Sequence, residues 1–141
     1  MGLQFIRVSL RGSAGVEAPT GDEFFSALGT ASVSAFDLAP STSAWQAALI
    51  HLFAVQMADV KAFEEPFEEF ATRVNNGFLR AAAFLAECES AGLAAWRRQG
   101  RKADIAISGW LANEQLDLSF PAVFLAQCGR LDLSIAICTN G

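Results

Sequence analysis

The chain has 141 residues, of which 52% are hydrophobic and 18% are charged, and its net charge is −5 at pH 7. This composition excludes an intrinsically disordered chain, which would be poor in apolar residues, and the length predicts a single domain spanning residues 1–141. The negative charge argues against a nucleic-acid partner, because that affinity depends on attraction to phosphates.

The first predicted element is a strand from Gln4 to Arg11. Its aliphatic residues Ile6, Val8 and Leu10 alternate with a second row that is half charged, which is the period of a strand with one face on a core. We expect the second row to face water. The segment also lacks the charged stretch, apolar run and cleavage site of a secretory signal, so we expect a cytoplasmic protein.

The next part of the chain predicts short elements separated by turns. Gly12 to Gly21 is rich in Gly, Ser, Pro and Thr and predicts a loop. Asp22 to Leu28 has an apolar stripe and is followed by Gly29, which predicts a short helix. Thr30 to Leu38 alternates weakly and predicts an edge strand, and Pro40 to Ser43 predicts a turn.

The segment from Ala44 to Val60 supports two readings. Its five alanines favour a helix by intrinsic propensity. The alternation of Leu49, His51, Phe53 and Val55 fits a buried strand instead, and periodicity does not separate the two in a nearly continuous apolar run. We prefer the helix. The polar residues within it leave the run shorter than the ~20 apolar residues of a membrane span, so no transmembrane segment is predicted.

The remainder of the chain predicts two longer helices and then strands around a short helix. The first long helix is expected to end at Asn75 to Gly77 and the second at Gly92, although Leu93 to Arg98 could extend the second by another turn or two. The predicted elements are Phe63–Val74, Phe78–Ser90, Ala103–Trp110, Leu116–Phe120, Pro121–Gln127 and Leu131–Cys138. Together they predict an α+β fold, with a single-layer, mostly antiparallel or mixed sheet of about four or five strands and helices packed on one face.

Five residues are candidates for contact with a partner. The acidic run Glu64, Glu65, Glu68 and Glu69 could dock a basic protein, since complementary charge accelerates association. A solvated helix face that suits the helix dipole is the more ordinary interpretation. Trp110 follows Gly109 at a strand end and could serve as an anchor, although packed indoles are commoner.

No catalytic, metal or cofactor site is predicted. His51 is the single histidine, and a core or half-buried position is the better interpretation because no nucleophile motif lies beside it in the sequence. Cys88, Cys128 and Cys138 are widely spaced, which gives neither a disulfide framework nor a short-range pair of metal ligands. We expect reduced thiols packed as small hydrophobes.

Four basic residues also cluster between residues 97 and 102, at Arg97, Arg98, Arg101 and Lys102. Such a patch could bind an anion or a nucleic acid. In a chain with a net charge of −5, a solvated helix end is the interpretation that we prefer.

The segment from Ala103 to Asn140 resembles the C-terminal strand, helix and strand unit of a bacterial domain family of unknown function. Members of that family occur among immunity-like proteins of toxin systems. The resemblance depends on the alternation of Leu116 and Leu118 before Pro121, the short helix ending at Gly129 and the closing strand. It implies an α+β fold and transfers no site residue.

The leading functional hypothesis is a non-enzymatic cytoplasmic protein that binds another protein, as an immunity protein neutralising a bacterial toxin. The first alternative is a small enzyme or ligand-binding domain with a pocket near His51, to which Cys128 could also contribute. The second alternative is a homodimeric structural protein whose apolar excess is partly buried between subunits.

Overall fold

A computed structural model of the chain describes residues 5–13, 21–29, 37–42, 47–56, 59–60, 63–64, 67–110 and 119–139. The described strands are β1 (Phe5–Ser13), β2 (Asp37–Thr42), β3 (Ala47–Gln56), β4 (Asp59–Val60), β5 (Phe63–Glu64), β6 (Lys102–Trp110) and β7 (Ser134–Thr139). The described helices are α1 (Gly21–Leu28), α2 (Phe67–Glu87), α3 (Ser90–Arg98) and α4 (Ala122–Arg130).

Five of these strands form one mixed sheet in the order β2, β3, β1, β6 and β7. β1 is central and runs antiparallel to both β3 and β6, and β2 runs antiparallel to β3. β7 runs parallel to β6, and α4 lies between them in the chain. β4 and β5 form a separate two-stranded antiparallel ribbon. The predicted α+β class, with a mostly antiparallel sheet, is confirmed.

The aliphatic row of β1 sets the core face of the sheet. Val8 lies between Phe53 of β3 and Ile107 of β6 in the strand register, and Leu10 lies between Ile50 and Ile105. All of these side chains are buried. Alternation along β1 therefore places one row of residues in a continuous apolar layer, as the sequence predicted.

The four described helices cover this core face. Phe24 of α1 lies against Trp96 of α3, with ring centroids 5.1 Å apart. Phe78 of α2 contacts Phe53 of β3 at 5.0 Å and Phe124 of α4 at 4.8 Å. The prediction that the helices pack on one face is confirmed.

The helix preferred for Ala44 to Val60 is wrong, because residues 47–56 form strand β3. The strand lies beside the central strand, and burial of Ile50, Phe53 and Val55 against the helices outweighs the modest helix propensity of alanine. Phe53 pairs with Val8 and His51 with Ser9, so Leu52 is one extra residue in β3. This bulge interrupts the alternation and explains the nearly continuous apolar run.

The turn predicted at Pro40 to Ser43 is also wrong up to residue 42, since β2 continues from Asp37 to Thr42. β2 is the edge strand beside β3, and edge strands and irregular pairings are the places where a sheet tolerates proline. The pairing shifts between Ala39 and Thr42. The edge strand predicted from Thr30 to Leu38 overlaps β2 only at its last two residues, and the rest lies outside the described residues.

The two long helices predicted from Phe63 to Ser90 are mainly one helix, α2, which runs from Phe67 to Glu87. Gly77 does not end it. A Cβ atom on Gly77 would lie 2.4 Å from the Phe53 ring, so the glycine allows α2 to approach β3 closely. In the same way Gly92 lies inside α3 and does not stop a helix.

Candidate functional site

The face of the sheet opposite the helices carries the second row of β1 and its neighbours. We call this surface the polar face. Its described residues include Phe5, Arg7, Ser9, Arg11 and Ser13 on β1, Leu49, His51, Ala54 and Gln56 on β3, and Lys102, Asp104, Ala106 and Ser108 on β6. No described helix packs against it. The expectation that this row faces water holds for the exposed Arg7, whereas Arg11 is half-buried and Ser9 is 5% exposed.

Ser9 and His51 form a hydrogen-bonded pair at the centre of the polar face. The Ser9 Oγ lies 2.8 Å from the His51 Nδ1. His51 is half-buried, and the hydrogen bond satisfies a hydroxyl that is removed from water. The bulge at Leu52 creates this pair, because a regular register from Val8 and Phe53 would place Leu52 opposite Ser9.

Arg11 and Asp104 form a two-point ion pair across β1 and β6, where their Cα atoms are register partners. The Arg11 Nε donates to the Asp104 Oδ1 at 2.8 Å, and its Nη2 donates to Oδ2 at 2.6 Å. Both side chains are half-buried. A fork of this kind fixes the guanidinium more firmly than a single-point surface contact does.

Arg7 is an exposed cation of the polar face, as is Lys102, the register partner of Ser13. The Arg7 guanidinium carbon lies 5.3 Å from the centroid of the Phe5 ring, a distance typical of a cation–π contact. Phe5 is the register partner of Trp110, the last residue of β6. The backbone therefore places the predicted anchor Trp110 beside this pair, while the Trp110 side chain lies outside what the structure describes.

The structure does not place the four predicted glutamates on one helix. Glu64 belongs to β5, whereas α2 begins at Phe67 and includes Glu68 and Glu69 in its first turn. Glu69 is exposed. Glu65 and the side chains of Glu64 and Glu68 lie outside the described residues. The helix predicted from Phe63 is therefore wrong at Glu64, because the β4–β5 ribbon occupies that part of the chain.

Two of the four clustered cations have partners within the fold. The Arg97 Nη2 donates to the carbonyl oxygens of Leu131 and Asp132, both at 2.7 Å. The Arg101 guanidinium lies 4.6 Å from the Trp96 ring centroid and 3.4 Å from the Glu23 carboxylate. These two arginines connect α3 to its neighbours, so the patch is not a set of four free charges.

The described cavities lie away from the Ser9–His51 pair. One of about 470 Å³ lies between α1 and α3 beside Trp96. Another of about 410 Å³ lies at the starts of β6 and β7 and includes Asp104. Neither is lined by Ser9 or His51. Among the described residues there is no group of three or more His, Cys, Asp or Glu side chains that could hold a metal ion.

Cys88 and Cys128 are buried free thiols, as expected for these two, and Cys138 lies outside the described side chains. Burial raises the pKa of the Cys88 thiol from 9.0 to about 12, although nearby Arg130 opposes the shift. Burial also raises the pKa of the Cys128 thiol, to about 11. The thiolate is the reactive form, so neither cysteine is suited to nucleophilic chemistry at neutral pH.

These shifts predict a loss of stability at alkaline pH. Above the ordinary thiol pKa the unfolded chain releases protons that the folded chain keeps, so the free energy of unfolding falls as pH rises from about 9 towards the folded values. Denaturant unfolding measured from about pH 8 to about pH 11 should show this decline. A Cys88→Ala, Cys128→Ala variant should decline less. Equal declines in both proteins would contradict the assignment.

Comparisons of the chain with protein-family models, curated proteins and solved structures gave no match. The resemblance of Ala103 to Asn140 to an immunity-like family therefore stays a prediction. In the part of the chain that the structure describes, none of the helices has the length and apolar character needed to cross a membrane.

Ser9, Arg11 and Asp104 were not predicted to belong to one surface. The alternation of β1 already placed Arg7, Ser9 and Arg11 in phase. Their partners could not be found in the same way, because Ser9 and His51 are 42 residues apart and Arg11 and Asp104 are 93 apart. Only the strand order brings them together.

Proposed function

We propose that this chain is a non-enzymatic protein-binding domain that recognises its partner through the polar face. The observation that carries the proposal is the fixed arrangement of polar side chains on the sheet surface that the described helices leave uncovered. The Arg11–Asp104 fork and the Ser9–His51 hydrogen bond hold this surface in one conformation. A surface ordered before binding loses less conformational entropy on association.

The composition of the polar face suits a protein partner. Arginine and aromatic residues are enriched at the energetic centres of interfaces, and here the exposed Arg7 lies over Phe5. Arg11 is already neutralised by Asp104. Arg7 is therefore positioned to meet a carboxylate or carbonyl oxygen of the partner, while the chain's net charge of −5 steers a partner of positive net charge from a distance.

The Ser9–His51 pair also supports the alternative of a small hydrolytic enzyme, because a histidine within hydrogen-bond reach can activate a serine hydroxyl. Two observations favour the binding interpretation. Ser9 is 5% exposed, which leaves its hydroxyl little access to a substrate, and the Arg11–Asp104 ion pair beside it neutralises the neighbouring charges. We expect no covalent adduct on Ser9 after treatment with a fluorophosphonate probe, and such an adduct would contradict the non-enzymatic proposal.

The finer hypothesis is that the partner is a bacterial toxin, that this chain is its cytoplasmic immunity protein, and that the glutamate run contributes to docking. It is supported by the resemblance of the C-terminal segment and by the acidic charge. A large toxin gene next to the gene for this chain, with growth restored on co-expression, would be the expected result. Growth arrest that this chain does not relieve would contradict the immunity hypothesis.

Site-specific photo-crosslinking in the native host tests the recognition surface. A benzophenone amino acid replaces Ser108 on the polar face, Glu69 in the glutamate run or Ala86 on the outer side of α2, and all three positions are exposed. We expect a discrete crosslinked partner from position 108 and not from position 86. A partner captured only from position 69 would move the site to the glutamate run, and equal capture from all three positions would contradict specific recognition.

A further inference from the structure

The two edges of the five-stranded sheet differ in how they are protected. β2 at one edge contains Asp37 and Pro40 and shifts its register between residues 39 and 42. Charge, proline and irregular pairing are common ways of preventing an edge strand from pairing with another chain. β7 at the other edge reads Ser-Ile-Ala-Ile-Cys-Thr, with neither a charge nor a proline.

β7 also carries exposed apolar surface on its outer side. In the register with β6, Ile135 aligns with Ile105 and Ile137 with Ile107. Ile105 and Ile107 are buried, but Ile137 is 57% exposed. The apolar row of the core face therefore continues onto β7, beyond which no strand occurs in the described part of the chain. One more strand at this edge would complete the burial of Ile137.

We propose that two copies of this chain associate through β7, pairing antiparallel about a two-fold axis at Ala136. This register places Ile137 of one copy opposite Ile135 of the other, so that the core faces of the two sheets become continuous. A two-fold axis places each residue of β7 opposite a residue of the same strand in the other copy, so charges of one sign on this strand would repel each other. β7 carries no charge, so this repulsion does not arise, and the two isoleucines of one copy meet those of the other.

Sedimentation equilibrium of the full chain tests the association, and we expect a dimer at micromolar concentration. Ile137→Lys should give a folded monomer, because a lysine in an edge strand prevents pairing. Val123→Lys is the matched control, since Val123 is an exposed apolar residue of α4, and it should remain dimeric. A monomeric natural chain, or a dimer that persists in Ile137→Lys, would overturn the proposal.

A disulfide tests the register without relying on the lysine variant to fold. Residues that face each other across an antiparallel pair have Cα atoms about 4.5–5.5 Å apart, which is within the range that a disulfide spans. In a Cys138→Ser background, Ala136→Cys should form a covalent dimer on mild oxidation, and Ala122→Cys on exposed α4 should not. Failure of the Ala136→Cys chain to crosslink would exclude this axis.

Discussion

Replacement of Phe78 by alanine should lower the free energy of unfolding by about 3–5 kcal/mol. Phe78 is 0% exposed. Its ring contacts those of Phe53, Phe120 and Phe124 at centroid distances of 5.0, 5.3 and 4.8 Å. Phe78 therefore joins its own helix, α2, to the sheet and to the region that contains α4. Truncation leaves a cavity among rings that belong to separate elements, so the site does not collapse easily.

Leu79→Ala is the matched control for this prediction, because Leu79 is the next residue of α2 and is 42% exposed. We expect it to change stability by no more than about 0.5 kcal/mol, as is usual for a surface position. Denaturant unfolding monitored by circular dichroism measures both variants. Similar losses of stability in the two variants would show that burial of the Phe78 ring does not decide the effect of truncation.

The second large loss of stability is expected for Gly92→Ala. A Cβ atom there would lie 1.9 Å from the carbonyl oxygen of Ala27, so α3 and α1 touch through their backbones. Gly92→Ala must push the two helices apart and weaken the contact between Phe24 and Trp96. Overpacking of this kind costs about 1–3 kcal/mol, which exceeds the gain of about 1 kcal/mol from replacing a helical glycine.

Gly129→Ala is the control for Gly92→Ala. Gly129 also lies in a helix, α4, and no atom lies within 4 Å of the Cβ that alanine would add. It should therefore gain up to about 1 kcal/mol from helix propensity. In the same unfolding assay, we expect Gly92→Ala to lower the free energy of unfolding and Gly129→Ala to raise it. A loss at both positions would mean that the backbone contact at Gly92 is not what limits substitution.

Most of the fold could be predicted because periodicity reports burial directly. β1 and β6 followed from strict alternation, and α4 from Pro121 and the apolar residues after it. The helix ends were predicted wrongly because glycine occurs both at helix ends and at close contacts between elements. Gly77 and Gly92 resemble helix ends, but each allows a close contact with another element, and sequence alone does not show the neighbour that approaches.

The candidate site was harder to predict than the fold. The sequence placed Arg7, Ser9 and Arg11 on one side of a strand, but the identity of the opposite strands depends on a sheet order set by long-range packing. The bulge at Leu52 decides that His51 faces Ser9. A one-residue insertion reverses the facing of every residue on one side of it, and no local pattern in β3 marked that position.

The affinity of the partner captured by crosslinking tests the role of the polar face most directly. Calorimetric titration compares Arg7→Glu with the quadruple replacement of Glu64, Glu65, Glu68 and Glu69 by lysine, with circular dichroism confirming that both fold. We expect Arg7→Glu to weaken binding at least about tenfold, which corresponds to about 1.4 kcal/mol, and the glutamate variant to change the affinity less, because distant charges act mainly on the association rate. Unchanged affinity in Arg7→Glu, together with lost binding in the glutamate variant, would contradict this role of the polar face.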